Sequence, residues 1–263
     1  MIRFLRSVPR LDEECLYAFP PVGGSSPEGI VCAGGNLSPG VLLSAYRQGI
    51  FPWYGVGDPL LWWSPNPRFA VLPETIHIPA SSRKLLRRNG FKLTLDRDFG
   101  SVIASCAGIR RPGQAGTWII PEMMEAYEAL HERGYAHSVE VWKGTSLAGG
   151  LYGVSLGGAF FGESMFSLES GASRVGFLSL ALTLFEQGFS LIDSQVHTDY
   201  VAGMGGVDLP RGAYLRRLEA ALRQEDKKGS WKERFPNFPF SKTLADITDG
   251  ASLDAGEMIH DKP

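Results

Sequence analysis

The sequence predicts an α+β protein, and three observations carry that reading. From Pro121 onward the apolar patterning runs helix, three strands, helix, strand, helix. The three central strands are joined by the short turns Lys143-Gly144-Thr145 and Gly157-Gly158, which return the chain antiparallel. The composition of the 263 residues, 44 % apolar and 21 % charged, is that of a soluble globular chain long enough to bury a sizeable core.

Taken in order, Met1 to Asp12 mixes charge with short apolar groups and lacks the long apolar run of a signal peptide. Pro20, Pro21, Gly23, Gly24 and Pro27 make a loop-rich entry. Ser38 as N-cap, Pro39 in the first turn and Gly49 as the stop bracket a helix. Val41, Leu42, Ala45 and Tyr46 give that helix its apolar stripe. A domain boundary is placed near Arg68 to Pro73, giving a small N-terminal domain over 1–69 and a larger one over 70–225. Ser81 to Arg88 reads as a short helix, Phe91 to Leu95 as a strand and Ser101 to Ala107 as a second helix. A longer helix runs from Pro121 to Gly134, with Met124, Tyr127 and Leu130 on one side. Strands follow over His137–Trp142, Leu147–Val154 and Ala159–Phe166, then a helix over Ser173–Gln187. Ser190–Val196 is a strand and Arg211–Gln224 the last helix. Beyond Glu225 the periodicity fades, so 226–263 is read as a tail with little fixed structure.

Several chemistries are excluded at this level. A net charge of −2 gives no global attraction to nucleic acid, so any RNA contact rests on local basic patches. Cys15, Cys32 and Cys106 are odd in number and widely spaced, which argues against a disulfide framework or zinc site and fits a reducing cytoplasm. No apolar run approaches the ~20 residues that cross a bilayer.

The chemistry-bearing candidates are few. In Leu191-Ile192-Asp193-Ser194-Gln195, the carboxylate and the amide are two residues apart on a strand, hence on one face with Phe189 and Leu191. A polar strand exit beside a turn has the same pattern. Glu163, in Gly162-Glu163-Ser164, is a lone carboxylate in an apolar strand and is costly to bury unless partnered. Trp53, Trp62, Trp63 and Trp118 sit in Gly/Pro-rich surroundings, where an indole serves as a packing wedge or as a flat surface for a base. Arg83, Lys84, Arg87 and Arg88 form the best local patch for phosphates, with Arg110-Arg111 second; a solvated helix face gives the same run. His197 follows Gln195 and reads as a turn histidine.

With these residues in view, the chain resembles the leucyl/phenylalanyl-tRNA–protein transferases. The stretches GGNLSPGVLLSAYRQGIFPWY, LWWSPNPRF, GTWI, AYEALHERGYAHSVEVW, LYGV, FGESMFS and LIDSQV occur in the family's order over about residues 19 to 222. The resemblance implies a GNAT-like acyltransferase domain after a small N-terminal domain, with no metal or coenzyme. It implies transfer of leucine or phenylalanine from leucyl-tRNA or phenylalanyl-tRNA to proteins with N-terminal arginine or lysine, marking them for degradation. It places catalysis at Asp193, Gln195 and Glu163, and the 3′ adenosine at Trp53 and Trp118. The amino-acid side chain falls to Leu151, Phe160 and Ile192, and the tRNA to Arg83, Lys84, Arg87 and Arg88. Ser194 stands where the family often has cysteine, Leu151 where methionine also fits, and the loop Arg110 to Ala115 is longer than usual. A cytoplasmic monomer is expected.

The donor ester is already activated, so the main task is to hold amine and carbonyl in near-attack geometry. On this reading Asp193 holds the acceptor's cationic end and positions Gln195, whose carbonyl orients the attacking amine. Glu163 binds the acceptor or orients the tRNA end. Two other readings are weighed. A coenzyme-A-dependent N-acetyltransferase would use a pyrophosphate loop, and Arg110 to Ala115 matches its spacing literally but contains Pro112. A non-catalytic tRNA-binding module would use the basic helix and the tryptophans, but gives no reason for Asp193, Gln195 and Glu163.

Overall fold

The computed structural model describes residues 2–5, 7–87, 90–109 and 117–239. Arg88, the Arg110–Ala115 loop and the chain after 239 lie outside them.

The N-terminal part is a small sheet on one helix. Strands β1 (Arg3–Leu5) and β2 (Ile30–Gly34) run parallel, and helix α1 (Pro39–Arg47) follows. β3 (Phe51–Pro52) and β4 (Leu61–Trp63) complete the sheet in the order β1-β2-β4-β3. None of these strands is read from the sequence: β1, β3 and β4 have two or three residues, too few to show a period, and β2, Ile-Val-Cys-Ala-Gly, shows no polar alternation. The capping pattern of α1 does hold, although Ser38 uses its hydroxyl to accept from the Leu11 amide (2.9 Å) rather than to cap. Gly49 stops the helix at φ +72°, and a Cβ there would lie 2.6 Å from Leu215.

The large sheet begins at β5 (Arg68–Val71), inside the expected boundary region. Then come α2 (Ala80–Arg87), β6 (Lys92–Leu95), α3 (Phe99–Gly108) and α4 (Pro121–Glu132). Three long strands follow: β7 (Ala136–Lys143), β8 (Ser146–Leu156) and β9 (Ala159–Ser167). α5 (Ala172–Glu186) crosses over to β10 (Leu191–Gln195), and α6 (Asp199–Ala202), β11 (Gly206–Leu209), α7 (Arg211–Ala221) and α8 (Trp231–Arg234) finish the described chain. The sheet order is β11-β5-β10-β9-β8-β7-β6. Its pairs are antiparallel except β9 with β10, which need the α5 crossover to run parallel. The fold is therefore α+β, as the patterning predicts.

Helices cover both faces. Tyr46 of α1, Val102 of α3, Tyr127 of α4 and Tyr214 of α7 meet Phe161 and Leu191 on one side. On the other, α5, apolar around its whole circumference, packs on Leu151, Phe160 and Ile192. In α4 it is Met123, with Tyr127 and Leu130, that is buried; Met124 lies at the edge. Phe189 precedes β10 and joins the α5 side, opposite Leu191, because the strand's alternation starts only after it.

The segment after Glu225 departs from its reading as a tail. Trp231 is fully buried, its ring stacks on His137 at 3.9 Å, and its amide donates to Asp96 Oδ2 (2.7 Å). Trp231 and the likewise buried Phe235 anchor this stretch, and two aromatics are too few to show a period.

Candidate active site

The parallel pair β9–β10 sets up the site. Its register ends at Asp193 opposite Phe161. One residue further on, both strands bulge. β9 shifts on β8 between Gly162 and Ser164, so Glu163 has no ladder partner there, and β10 shifts on β5 between Asp193 and Gln195. A bulge re-aims a side chain and parts two strands. Glu163 and Gln195 thus flank a gap just past the end of the parallel β9–β10 ladder, and the gap opens into a cavity of about 340 Å³.

The cavity has three kinds of wall. Leu151, Phe160, Met165, Phe177 and Val201 make it apolar; Trp53 and Trp118 add indole faces; Glu163 and Gln195 add the polar groups. Six of the residues singled out from the sequence therefore meet here: Trp53, Trp118, Leu151, Phe160, Glu163 and Gln195. Ile192 does not. It is 1 % exposed and lies in the core beneath α5, because it sits one residue before the bulge on the opposite face from Asp193. Met165 on β9, Phe177 on α5 and Val201 on α6 were missed; nothing local distinguishes them from core residues.

Asp193 is also off the cavity, and its role must be corrected. It is fully buried, with both oxygens engaged by the protein. Arg68 donates from Nε to Oδ1 (2.8 Å) and from Nη2 to Oδ2 (2.7 Å), Tyr214 donates to Oδ2 (2.7 Å), and the Gln195 amide donates to Oδ1 (2.9 Å). No lone pair is left to grip an acceptor's cation. Arg68 is equally enclosed. Its guanidinium lies 4.6 Å from the rings of both Phe51 and Tyr214, and Nη1 donates to the Gly49 carbonyl (3.1 Å). Burial opposes its charge, but Asp193 and Tyr214 outweigh that and hold it ionised above its ordinary range. A planar five-donor fork is the side chain suited to this position.

This ion pair fixes Gln195. That residue has φ +58°, a left-handed conformation that non-glycine residues adopt at a cost of roughly 1–3 kcal/mol. The amide bond to Asp193 Oδ1 compensates, in the manner of an Asx turn. The Gln195 side chain then reaches Glu163, donating from Nε2 to Oε1 (3.1 Å). Its own carbonyl oxygen accepts from no described group.

Glu163 is half-buried at the residue level, but its carboxylate is enclosed. Tyr46 donates to Oε1 (2.8 Å) and Tyr127 to Oε2 (2.7 Å). Burial pushes its carboxyl up to about 7, beyond what the two tyrosine bonds and Arg68 pull back, and the charge of Asp193 adds to the rise. Tyr46, Tyr127, Arg68 and Tyr214 were not read as site residues. Each lies in an ordinary helix or boundary pattern, and only the fold brings them to the strand ends.

The remaining candidates stand apart. Arg83 and Lys84 are exposed on α2, whose Leu85 packs against Gly171 at the start of α5; Arg87 closes that helix. His197 is half-exposed and paired with Asp208 (3.2 Å) and Asp199 (3.5 Å), as expected of a turn histidine. Among the described residues no group of histidine, cysteine and carboxylate side chains could hold a metal.

An apolar cavity beside an amide oxygen and a carboxylate of raised pKa suits acyl transfer. The chain's similarities bear on which acyl group. It is 53 % identical over 216 residues to the leucyl/phenylalanyl-tRNA–protein transferase of Syntrophus aciditrophicus, covering 82 % of this chain and 90 % of that one. It is 48 % identical over 223 residues to the Myxococcus xanthus protein of the same name, covering 85 % and 95 %. Among solved structures, a GCN5-related N-acetyltransferase from Kribbella flavida is similar at a TM-score of 0.36 and 13 % identity, over 66 % of this chain and 62 % of that one. The leucyl/phenylalanyl-tRNA protein transferase model matches residues 70–219, which hold Asp193, Gln195, Glu163, Tyr127 and Tyr214, and the model of that family's N-terminal domain matches residues 35–66, which hold Tyr46. The chain belongs to the leucyl/phenylalanyl-tRNA protein transferase family.

Proposed function

We propose that the cavity receives the aminoacylated 3′ end of leucyl-tRNA or phenylalanyl-tRNA and passes the amino acid to a protein whose N-terminal residue is arginine or lysine, marking that protein for degradation. Family membership makes the chain an aminoacyltransferase. The observation that carries the finer reading is the make-up of the cavity: an apolar pocket, two indoles and a polar wall within one enclosure.

Each part has a task. Leu151, Phe160, Met165, Phe177 and Val201 bury an apolar side chain of leucine or phenylalanine size. Trp53 and Trp118 stack the terminal adenine, worth roughly 1–3 kcal/mol per base. Arg83, Lys84 and Arg87 on α2, with Arg88 next in sequence, take phosphates of the tRNA. The free carbonyl oxygen of Gln195 accepts from the attacking amine and orients it. Asp193 and Arg68 are positioning residues: they hold the strand end that carries Gln195. Among the described residues no helix is long and apolar enough to cross a membrane, and three free thiols suit a reducing cytoplasm. A monomer suffices, since every group above comes from one chain.

The test is direct. The purified protein is incubated with labelled leucyl-tRNA and a peptide beginning with arginine, beside a matched peptide beginning with alanine. Label is expected on the arginine peptide alone. Label on neither, with the tRNA still bound, would leave a binding module; label on both would remove the acceptor rule.

A further inference from the structure

We infer that Glu163, Tyr46 and Tyr127 form a one-proton store for the transfer step, with Glu163 as the group that meets the substrates and the two tyrosines as the groups that hold it. The inference rests on the aminoacyl-transfer reading of the cavity.

Three close oxygen contacts join these side chains in a ring: Tyr46 to Glu163 Oε1 (2.8 Å), Tyr127 to Glu163 Oε2 (2.7 Å), and Tyr46 to Tyr127 (2.5 Å). Each phenol has one hydrogen. With Glu163 ionised, both hydrogens point at the carboxylate, and the tyrosine–tyrosine edge brings two oxygens together with no hydrogen between them. One added proton closes the ring. The Glu163 carboxyl then donates to Tyr46, Tyr46 to Tyr127, and Tyr127 back to the second carboxyl oxygen. The ring holds either two hydrogens or three, and it sits at the cavity wall through Glu163.

The surroundings keep the two states close in energy. Tyr46 on α1 and Tyr127 on α4 face Glu163 directly, and Tyr152 of β8 lies next to both rings. From β10, Asp193 opposes a second negative charge, while the Gln195 amide stabilises it. Arg68 on β5 favours the anion, but its donors are engaged by Asp193 and Gly49. Burial offsets the tyrosine bonds and brings Glu163 to about 7. The tyrosines themselves are pushed well above 10 by burial and by the charge of Glu163, so they relay and orient but do not ionise.

The step balances. The acceptor's neutral amine forms a bond from nitrogen to the ester carbonyl carbon, and its proton passes to ionised Glu163. The bond from that carbon to the ribose oxygen breaks, and Glu163 returns the same proton to the departing oxygen. The products are an amide and a free ribose hydroxyl, and Glu163 ends ionised.

The experiment reads log(kcat/KM) for an arginine peptide against pH, with leucyl-tRNA saturating. An acceptor α-amine titrates near about 8. The wild type should therefore show a slope approaching two below pH ~7 and one between ~7 and ~8. Glu163→Gln should lower the rate about 100-fold and leave a slope of one at every pH below ~8. Tyr46→Phe and Tyr127→Phe each remove a charge-assisted bond to the anion and should move the lower bend up by about one pH unit. Difference infrared spectra of the protein alone supply a readout independent of turnover: a protonated-carboxyl band lost near pH 7 in the wild type and absent from Glu163→Gln. A wild-type slope of one, a second proton that persists in Glu163→Gln, or no such band overturns the proton store. A titrating band in a protein that transfers nothing overturns the aminoacyl-transfer reading instead, and the catalytic role of the ring with it.

Discussion

Replacing Asp193 by alanine removes the carboxylate that holds Arg68, and the consequence is first a matter of stability. Both side chains are fully buried, and the guanidinium is left with the Gly49 carbonyl and two aromatic faces. Breaking a buried pair by deleting one partner costs about 3–5 kcal/mol, because the other charge stays in low dielectric uncompensated. Against a total stability of roughly 5–15 kcal/mol, that is a large fraction. With a urea m-value of about 3 kcal/mol per molar, the midpoint should fall by about 1–1.7 M. Loss of transfer in Asp193→Ala therefore cannot by itself assign chemistry to the carboxylate.

A double-mutant cycle separates the two roles. Arg68→Met alone strands the Asp193 carboxylate and should cost a similar 3–5 kcal/mol. Arg68→Met with Asp193→Asn strands no charge: the Asn oxygen can still accept from the Gln195 amide, and its NH2 can donate to the Tyr214 hydroxyl oxygen. The double variant should be more stable than the sum of the two singles predicts by at least ~2 kcal/mol, measured by urea unfolding. It should also keep transfer within about tenfold of the wild type, as Gln195 keeps its left-handed turn. Additive stabilities within ~0.5 kcal/mol would refute the coupling. A double variant of native stability with no transfer would refute the positioning role and return the carboxylate's charge to the chemistry.

Three further outcomes are expected. Glu163 has a folded pKa near 7 against 4.5 for the free group, so the folded state binds the extra proton between those values and stability falls as pH rises across that window. The ceiling is about 3 kcal/mol at 1.36 kcal/mol per unit, and Glu163→Gln should flatten that part of a stability-versus-pH curve; an unchanged curve would place the titration elsewhere. Leu151→Ala widens the pocket by about three carbons and should shift kcat/KM by roughly tenfold toward phenylalanyl over leucyl donors, in competition assays with both tRNAs. Trp231→Ala should lower stability by about 3–5 kcal/mol, since the ring is fully buried between His137, Phe160 and Phe235; a change under ~0.5 kcal/mol would restore the tail reading.

What was legible in the sequence divides along the range of the forces involved. The long elements announce themselves because their periods repeat within one segment: α1 between Ser38 and Gly49, and β7 to β9 between their turns. β3 and β11 do not, because they form only when a partner strand supplies the ladder. The same divide runs through the site. Glu163 and Gln195 stood out as polar groups in apolar strands, and their expense in isolation signals partners nearby. Which partners could not be read, since Tyr46 and Tyr127 lie 117 and 36 residues from Glu163, and Arg68 lies 125 from Asp193. Asp193 shows the limit most clearly. From sequence its charge looks like something offered to a substrate, because an isolated strand carries no sign of Arg68. The fold turns that charge inward, closes it with four hydrogen bonds, and uses the resulting rigidity to hold a strained glutamine whose carbonyl oxygen no described group occupies. A carboxylate at a strand end is thus ambiguous until its lone pairs are counted. On the proposed function, the count moves the chemistry two residues along the chain, to Gln195, and across the gap to Glu163.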